Sequence, residues 1–244
     1  MPFSDEDCRA QESQECQHEL KFVLPNARIH ALIPWLRTHC RPHPQYAATQ
    51  VSSIYYDDRD WRSLAEKLDS TFLKTKVRVR WYESGASRDS EERSFVEGKF
   101  KVGAQRRKVR VLTDVPARAL RTLPLSSPTA QVLPQLLRAH GLTDAALFGP
   151  VLQITYTRLR FEHPLSAHSF CLDYNIHVPR VNDTRLTRTS LRYLATAVFE
   201  QKGPGDRLSP LLRWLPHFGL KKQAFSIQHL PSRRDRNDSL IPAR

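Results

Sequence analysis

The amino-acid sequence predicts an α+β protein in which antiparallel strands form a barrel and helices flank it. The first observation is the segment KTKVRVRWY (74–82), whose four cations are each separated from the next by one residue. Because side chains alternate between the two faces of a strand, a strand here would gather all four cations on one side. The second observation is that at least six predicted strands carry a charged face opposite an apolar one. The third is that helical segments interrupt these strands along the chain.

The predicted strands are segments in which β-branched and aromatic residues alternate with polar ones. The polar stretch 84–92, which contains glycine and serine, is predicted as a hairpin loop, and Gly103 as a turn. The segment 220–230 is compatible with either strand or helix. The predicted strands cover 18–24, 50–57, 74–83, 93–102, 105–115, 150–164, 168–178 and 195–202.

Two of the predicted helices lie near the two ends of the chain. The first covers 26–40, with Asn26 as its expected N-cap. Pro34 is expected to interrupt or kink this helix, because proline removes a backbone hydrogen bond. The other covers 206–219, where leucines recur among polar residues.

Two further helical segments are predicted in the middle of the chain. The segment 58–68 is expected to form a short helix with Asp58 or Asp60 as its cap. The segment 116–141 is expected to form a helix in two pieces, and Gly141 is expected to end it. Turn and helix-cap duty is the favoured role of Asp57 and Asp58, although their carboxylates could also reach a metal ion.

Length and composition are compatible with one large or two small globular domains. The chain has 244 residues, of which 40% are hydrophobic, enough for a sizeable core. We predict a disordered leader at 1–16, one domain at 17–230 and a mobile tail at 231–244. The acidic, polar amino terminus is the reverse of a signal peptide, which favours a cytoplasmic protein. No apolar run approaches the roughly 18 residues of a membrane span, so we expect no membrane insertion by this chain.

Charge and cysteine content restrict the class of partner. The formal net charge is +13 and the pI is about 10.0, which indicates a polyanionic partner. Composition leaves nucleic acid, an anionic membrane and phosphate chains open as that partner. The four cysteines are scattered without a CxxC spacing, which argues against a zinc site or a disulfide framework. They are Cys8, Cys16, Cys40 and Cys171.

The charged faces have two possible environments. In a sandwich they would all point to water. In a closed barrel they could point inward, and this arrangement requires a polyanion in the interior, because crowded like charges repel strongly. The positions that share a face are Glu19 with Lys21; Lys74, Lys76, Arg78 and Arg80; Glu97, Lys99 and Lys101; Arg106, Lys108 and Arg110; Arg158, Arg160 and Glu162; and Glu200 with Lys202.

Several motifs, in order along residues 18–203, resemble the polyphosphate polymerase domain of the vacuolar transporter chaperone (VTC) proteins. This family is a branch of the triphosphate tunnel metalloenzymes. KVRVRWY after IYYDD, followed by VEGKFK, is the most specific part of the resemblance. The motifs are HELKF, SSIYYDDRDWRSLAEKLD, KTKVRVRWYE, FVEGKFK with RRKVR, TYTRLRF and VFEQKG.

The resemblance implies an antiparallel eight-stranded tunnel flanked by helices. It also implies that the γ-phosphoryl group of ATP passes to a growing polyphosphate chain, with Mn²⁺ or Mg²⁺ held by a carboxylate. Glu200 matches that metal-binding carboxylate. The expected catalytic residues are Arg78, Arg80, Lys99 and Arg158. The expected phosphate-binding residues are Lys21, Lys76, Lys101, Lys108, Arg110, Arg160, Lys202 and Lys222.

The sequence also departs from the family pattern at three positions. Ser169 stands where the family usually has an arginine. Ile227 stands where the family has the lysine of an SKY triplet, and Lys221 or Lys222 is the expected substitute. Gln17 replaces the first glutamate in the leading motif of the wider superfamily. Ser169 and Ile227 favour a binding module without turnover as an alternative to the polymerase. A triphosphate hydrolase is a further alternative, but the loss of the glutamate at Gln17 argues against it.

An unrelated alternative is a protein that binds RNA or DNA. Aromatic side chains such as Trp61, Trp81, Tyr55 and Tyr82 could stack on bases, but a place in the core is the favoured interpretation. No nucleic-acid-binding motif appears in the sequence, so ATP and polyphosphate are the expected partners. A membrane-bound partner protein is left open. Asp173 is expected either to bind metal or to pair with an arginine of the interior.

Overall fold

The computed structural model of the chain describes residues 18–63, 65, 73–83, 93–102, 105–186, 192–205 and 207–222. The predicted leader at 1–16, the hairpin loop at 84–92, the turn at Gly103 and the tail at 231–244 lie outside these residues. Within them, strands account for most of the regular structure, and the helices are few and short.

Eight long strands of the described residues form one antiparallel sheet. They are β1 (His18–Pro25), β3 (Ala48–Asp57), β4 (Leu73–Glu83), β5 (Ser94–Val102), β6 (Gln105–Thr113), β7 (Gly149–Glu162), β8 (Ser169–Val181) and β10 (Thr196–Gly203). Three two-residue strands extend the sheet: β2 (Arg41–Pro42), β9 (Arg192–Tyr193) and β11 (Lys221–Lys222).

The order of the long strands is β1-β10-β8-β7-β3-β4-β5-β6, with β11 beyond β1. Each neighbouring pair is antiparallel. The α+β prediction with an antiparallel eight-stranded framework is confirmed. The hydrogen-bonded ladder of the described strands does not close, since β6 and β11 form its two ends.

The first helix differs from its prediction at its beginning. The α-helix α1 (Ile29–His39) follows a 3-10 turn at Asn26–Arg28. The predicted Asn26 cap is wrong, because its side-chain amide instead donates to the carbonyl of Leu194 at 2.7 Å. Pro34 lies inside α1 without ending it.

The middle segments follow their predictions more closely. Asp58 caps the beginning of the short helix at Arg62, since its carboxylate accepts from the backbone N–H of Arg62 at 2.9 Å. The predicted continuation at 66–68 lies outside the described residues. The following segment comprises α2 (Ala117–Thr122), α3 (Pro128–Val132) and 3-10 turns at Leu133–His140 and Thr143–Leu147. Gly141 ends the first of these turns with φ of +91°, a left-handed conformation that glycine adopts without strain.

The predicted helix at 206–219 is wrong within the described residues. Only two 3-10 turns form, at Pro210–Leu212 and Leu215–Phe218. Pro210 and Pro216 each fall at the beginning of one of these turns. The residue before a proline is disfavoured in the α conformation, and this prevents a continuous helix.

Two hydrophobic layers cover the convex side of the sheet. Val77, Val79 and Trp81 of β4 are completely buried against the segment that contains α2 and α3. Leu32 and Leu36 of α1 pack with the 3-10 turns near the carboxyl end against β1, β7, β8 and β10. The apolar face of each strand is therefore covered, and the charged face is turned to the concave side.

Two further predictions concern membrane spans and cysteines. No helix in the described part of the chain is long and apolar enough to cross a membrane. Cys40 is buried and Cys171 half-buried, and both are free thiols. Cys8 and Cys16 lie outside the described residues.

Candidate functional site

The concave side of the sheet encloses a cavity of about 290 Å³. All eight long strands contribute side chains to it. This is the inward arrangement that the alternation allowed, because the lining positions share the parity of the charged residues. The lining residues are Glu19, Lys21, Tyr55, Lys76, Arg78, Arg80, Tyr82, Glu97, Gly98, Lys99, Lys108, Tyr156, Arg158, Asp173, Val198, Glu200 and Lys202.

The cavity is strongly cationic. Eight lysines and arginines line it together with four carboxylates, which leaves a formal excess of four positive charges. Several of these groups are largely removed from water, so that their mutual interactions are stronger than at an open surface. The carboxylates divide into two kinds, because two of them contact arginines and two contact lysines.

The first arginine-bound carboxylate is Glu97 of β5. It is 4% exposed and accepts a hydrogen bond from Nε of Arg78 at 2.7 Å. Its other oxygen lies 3.6 Å from Nε of Arg110. Burial by itself would raise the pKa of Glu97, but Arg78, Arg80 and the neighbouring cations hold it well below its usual range.

The second is Asp173 of β8, which forms a two-pronged ion pair with Arg158 of β7. Nε and Nη2 of Arg158 donate to the two carboxylate oxygens, each at 2.6 Å. Planar arginine matches a carboxylate in this bidentate way, which fixes the guanidinium in position. Asp173 therefore pairs with an arginine of the interior, one of the two roles expected for it.

Arg80 is held mainly by neutral partners. It is 5% exposed, and its guanidinium donates to the hydroxyl oxygens of Ser53 at 2.9 Å and Tyr156 at 3.1 Å. These hydroxyl groups do not cancel its charge. Arg80 thus presents a fixed cation at the buried side of the cavity, where an anion could bind.

The lysine-bound carboxylates meet at Lys21. Its ammonium lies 2.6 Å from Glu19 and 3.4 Å from Glu200, and Glu200 also lies 3.2 Å from Lys202. Burial alone would lower the pKa of Lys21, but the two carboxylates raise it above its usual range. Burial would raise the pKa of Glu200, but Lys21, Lys202 and Arg158 lower it below its usual range. These groups are therefore charged at neutral pH.

These two glutamates are the groups that could hold a metal ion. No cluster of three or more His, Cys, Asp or Glu side chains occurs among the described residues. A hard cation such as Mg²⁺ needs only one or two carboxylates when phosphate oxygens and water complete its coordination. The carboxylate oxygens of Glu200 and Glu19 fit that requirement, whereas Glu97 and Asp173 are already bound by arginines.

Three lysines form a row on the cavity face, which we call the lysine row. Lys76 of β4 is in register with Lys99 of β5, and Lys99 is in register with Lys108 of β6. Like charges directly opposite each other on neighbouring strands are destabilising. An anion that bound across these strands would relieve that repulsion.

Tyr55 of β3 is an ionisable group among the cations. It is 3% exposed, and the ammonium of Lys76 lies 4.8 Å from its ring centre. Burial alone would raise the pKa of Tyr55, but Lys76, Arg78 and Arg80 lower it to about 7. The cavity thus stabilises a negative charge even on a phenol.

Nine of the thirteen residues predicted for the site line the cavity. They come from six of the long strands and converge because each lies on the charged face of its own strand. These nine are Lys21, Lys76, Arg78, Arg80, Lys99, Lys108, Arg158, Glu200 and Lys202.

The other four predicted residues are placed differently. Arg110 is not among the residues that line the cavity, and its guanidinium lies 3.8 Å from the ring centre of Phe95. Arg160 donates to the hydroxyl oxygen of Thr49 at 2.9 Å. Lys101 is in register with Lys74 and Arg106, but its side chain is outside the described part of the structure.

Lys222 lies on the other face of the sheet from the cavity. It is opposite Phe22, which packs into the hydrophobic layer beneath α1. Lys221 is opposite Val23 and has the parity of the cavity residues. The expected substitution of Lys222 for the family lysine is therefore not supported by the register. Ile227 lies outside the described residues.

The prediction did not include three tyrosines among the site residues. Tyr55, Tyr82 and Tyr156 line the cavity and also pack in a hydrophobic cluster with Val51 and Ile154. The spacing contained a signal for two of them. Tyr82 is in phase with Arg78 and Arg80, and Tyr156 is in phase with Arg158.

Comparison with protein families decides which family this sheet and cavity represent. The model of the VTC domain matches residues 16–226, most of the chain. The chain belongs to the VTC domain family. The resemblance seen in the sequence is confirmed. A comparison with curated proteins gives no match.

The VTC domain is similar to several solved structures, one of which has a TM-score above 0.5. A protein of Bacillus halodurans described as a "putative adenylate cyclase" is 13% identical, with a TM-score of 0.52 over 87% of this chain and 96% of that one. A Vibrio parahaemolyticus protein with the same description is 11% identical, with a TM-score of 0.44 over 88% and 97%. The protein PH1819 of Pyrococcus horikoshii is 15% identical, with a TM-score of 0.44 over 86% and 91%. The likeness to the Bacillus halodurans protein shows the shared fold.

Proposed function

We propose that this VTC domain is a polyphosphate polymerase that transfers the γ-phosphoryl group of ATP to the end of a polyphosphate chain. The observation that carries the proposal is the cavity, where eight cations exceed four carboxylates. Membership in the VTC family supports a ligand that contains linked phosphates. A chain of phosphates supplies the dense negative charge that such an interior requires.

The reaction depends on alignment and on charge neutralisation. An oxygen of the terminal phosphate of the chain attacks the γ-phosphorus of ATP, and the bond from that phosphorus to the bridging oxygen of ADP breaks. Such a transfer needs little covalent help from the protein. The proposed catalytic residues Arg78, Arg80, Lys99 and Arg158 hold the equatorial oxygens and neutralise their charge.

Most of the other proposed phosphate ligands extend this arrangement along the cavity. Lys76 and Lys108 belong to the lysine row, next to Lys99. Lys21 and Lys202 lie beside Glu200. Compact ammonium groups suit contacts with successive phosphates, since they bind as point charges without a fixed orientation.

A divalent cation belongs to the proposal. Glu200 would hold Mn²⁺ or Mg²⁺ together with phosphate oxygens, and Glu19 lies within reach of the same lysine. When bound, the cation would neutralise charge on the phosphates. Lys21 and Lys202 keep Glu200 ionised, which a metal ligand requires.

The size of the cavity favours recognition of the phosphates rather than of the nucleoside. Its volume of about 290 Å³ is near the lower end of ordinary ligand pockets. Charged side chains and tyrosines form nearly all of its lining. The adenosine of ATP would therefore remain at the mouth while its phosphates enter.

A binding module without turnover is the second candidate, and Ser169 favours it. This residue is exposed on β8, in register with Lys202 and Glu162. The family usually has an arginine there, so this side of the cavity has one cation fewer. Phosphate binding would persist with the remaining cations, but alignment for transfer would be weaker.

The test is incubation of the purified protein with ATP and Mn²⁺, with the products resolved on a gel stained for polyphosphate. We expect long chains and ADP, and loss of both in Glu200→Ala and Arg78→Ala. Arg213→Ala is the matched control, because Arg213 is exposed and stacks on Trp214 outside the cavity. Free phosphate without chains would indicate a hydrolase. Binding of ATP or polyphosphate without turnover would indicate the binding module.

A further inference from the structure

Glu97 places a buried negative charge among the cations that are proposed to bind phosphate. Both Nε and Nη2 of Arg78 are directed to the same oxygen, Oε2 of Glu97, at 2.7 and 2.5 Å. The second oxygen, Oε1, lies 3.6 Å from Nε of Arg110. Glu97 thus lies against the edge of the guanidinium formed by Nε and Nη2, an edge at which a phosphate group could bind in its place.

The ion pair between Arg158 and Asp173 has a different geometry. There each of two nitrogens donates to its own carboxylate oxygen at 2.6 Å, the parallel arrangement of a bidentate pair. Arg78 instead directs both donors to one oxygen of Glu97. The pair of Arg78 and Glu97 is therefore the easier of the two for another anion to replace.

From this difference we infer that Glu97 is an internal counterion that a phosphate group displaces from Arg78. The inference rests on the proposed function and specifies how the affinity of the same cavity is set. In the absence of ligand, Glu97 neutralises part of the charge of Arg78, Arg80 and Lys108. With an oligophosphate bound, the phosphate oxygens neutralise these cations, and the carboxylate of Glu97 repels the phosphate oxygens.

This arrangement gives Glu97 opposite effects on the empty and the occupied cavity. It stabilises the folded protein without ligand, because several buried cations would otherwise repel one another. It weakens the complex, because a negative charge remains next to the bound phosphates. A polymerase must release its chain, and a counterion that returns to Arg78 promotes that release.

The test is calorimetric titration of the full chain with inorganic tripolyphosphate in the absence of metal. Glu97→Gln keeps the size of the side chain and removes its charge, and we expect it to bind roughly ten-fold more tightly than the unaltered protein. Its melting temperature without ligand should be lower, and tripolyphosphate should raise it by a larger increment. Asp173→Asn is the matched control and should bind more weakly, since Arg158 loses the partner that orients it.

The outcomes separate this inference from the proposed function. If the unaltered protein binds tripolyphosphate and Glu97→Gln binds it equally or less tightly, the inference is overturned and the proposed function stands. Equal tightening in Asp173→Asn would also overturn it, because the effect would then be one of net charge alone. If the unaltered protein does not bind tripolyphosphate, both fail.

A second measurement covers the case in which Glu97→Gln does not fold. It is a structure of the unaltered protein with tripolyphosphate bound. A phosphate oxygen on the guanidinium of Arg78, with the carboxylate of Glu97 no longer within hydrogen-bond distance, would support the inference. An intact pair of Arg78 and Glu97 beside the bound ligand would overturn it.

Discussion

The carboxylate of Glu19 lies 3.6 Å from the ammonium of Lys99, so that an ion pair connects β1 with β5 across the cavity. These strands are not neighbours in the hydrogen-bonded sheet, since β10, β8, β7, β3 and β4 lie between them. Side chains therefore bring together regions that the ladder of the described strands leaves apart. The pair is also half-open to water, because the side chain of Lys99 is 55% exposed.

Lys99→Ala is expected to reduce phosphate binding with little effect on stability. An exposed ion pair contributes about 1 kcal/mol or less to the free energy of unfolding. The loss of one cation of the lysine row should nevertheless weaken the binding of tripolyphosphate several-fold. Urea unfolding and calorimetric titration of the same samples measure the two effects. A large loss of stability would contradict the idea that Lys99 serves the ligand rather than the fold.

The pair of Arg158 and Asp173 should behave in the opposite way. Both side chains are at most 15% exposed, and removal of either partner leaves a buried charge without compensation. Arg158→Met or Asp173→Asn should therefore lower the free energy of unfolding by roughly 3 kcal/mol.

A double-mutant cycle in urea measures the coupling of this pair. The double variant Arg158→Met with Asp173→Asn should recover much of the lost stability, since neither charge remains. It should not recover phosphate binding. Additive losses in the double variant would show that the two side chains act independently.

The sequence predicted a segment for each of the eight long strands, and in six of them charged and apolar residues alternate, because a period of two is a strong signal in strands covered on one face. The alternation also predicted that the nine residues would share one face of the sheet, because the position of a residue along its strand, odd or even, decides its face. The short elements carried less information. A two-residue strand such as β11 shows no alternation, and the face of Lys222 followed only from its register with Phe22.

The tyrosines show a second limit of sequence reasoning. An aromatic residue in a strand is usually part of the core, and Trp81 is completely buried there. Tyr55 is almost equally buried but lines the cavity. Both side chains have apolar neighbours, but Tyr55 also lies beside the cations Lys76 and Arg78. Those neighbours come from other strands and become visible only in the folded sheet.

Gly203→Ala should weaken both stability and phosphate binding. Gly203 ends β10 with φ of +155°, and an added Cβ would lie 2.5 Å from the ring of His168 and 3.1 Å from its Cα. The backbone would have to move, and Lys202 is the adjacent residue. We expect a loss of about 1–3 kcal/mol in the free energy of unfolding, with several-fold weaker binding. Gly205→Ala is the matched control, because Gly205 also has a positive φ, of +80°, but its added Cβ meets nothing within 4 Å, so this variant should lose only the smaller backbone contribution. Similar stability of the two variants, measured in urea, would refute this explanation.

Tyr55→Phe should change the pH dependence of the empty cavity. The pKa of Tyr55 is about 7 in the folded protein, against an ordinary value of 10. A group with a lowered pKa adds stability that is complete above pH 10 and is lost as the pH falls through 7. The stability of the unaltered protein relative to Tyr55→Phe should therefore rise between pH 7 and pH 10.

Ligand binding should show the reverse trend. Above pH 7 the phenolate of Tyr55 would neutralise part of the charge of Lys76, Arg78 and Arg80, so that tripolyphosphate binding weakens as the pH rises. The same titration with Tyr55→Phe should be flatter in this range, because the phenyl ring cannot ionise. Calorimetry at pH 6, 7 and 8 compares the two proteins. Parallel curves would mean that Tyr55 does not ionise in the folded protein, and that the cations of the cavity are neutralised by its carboxylates alone.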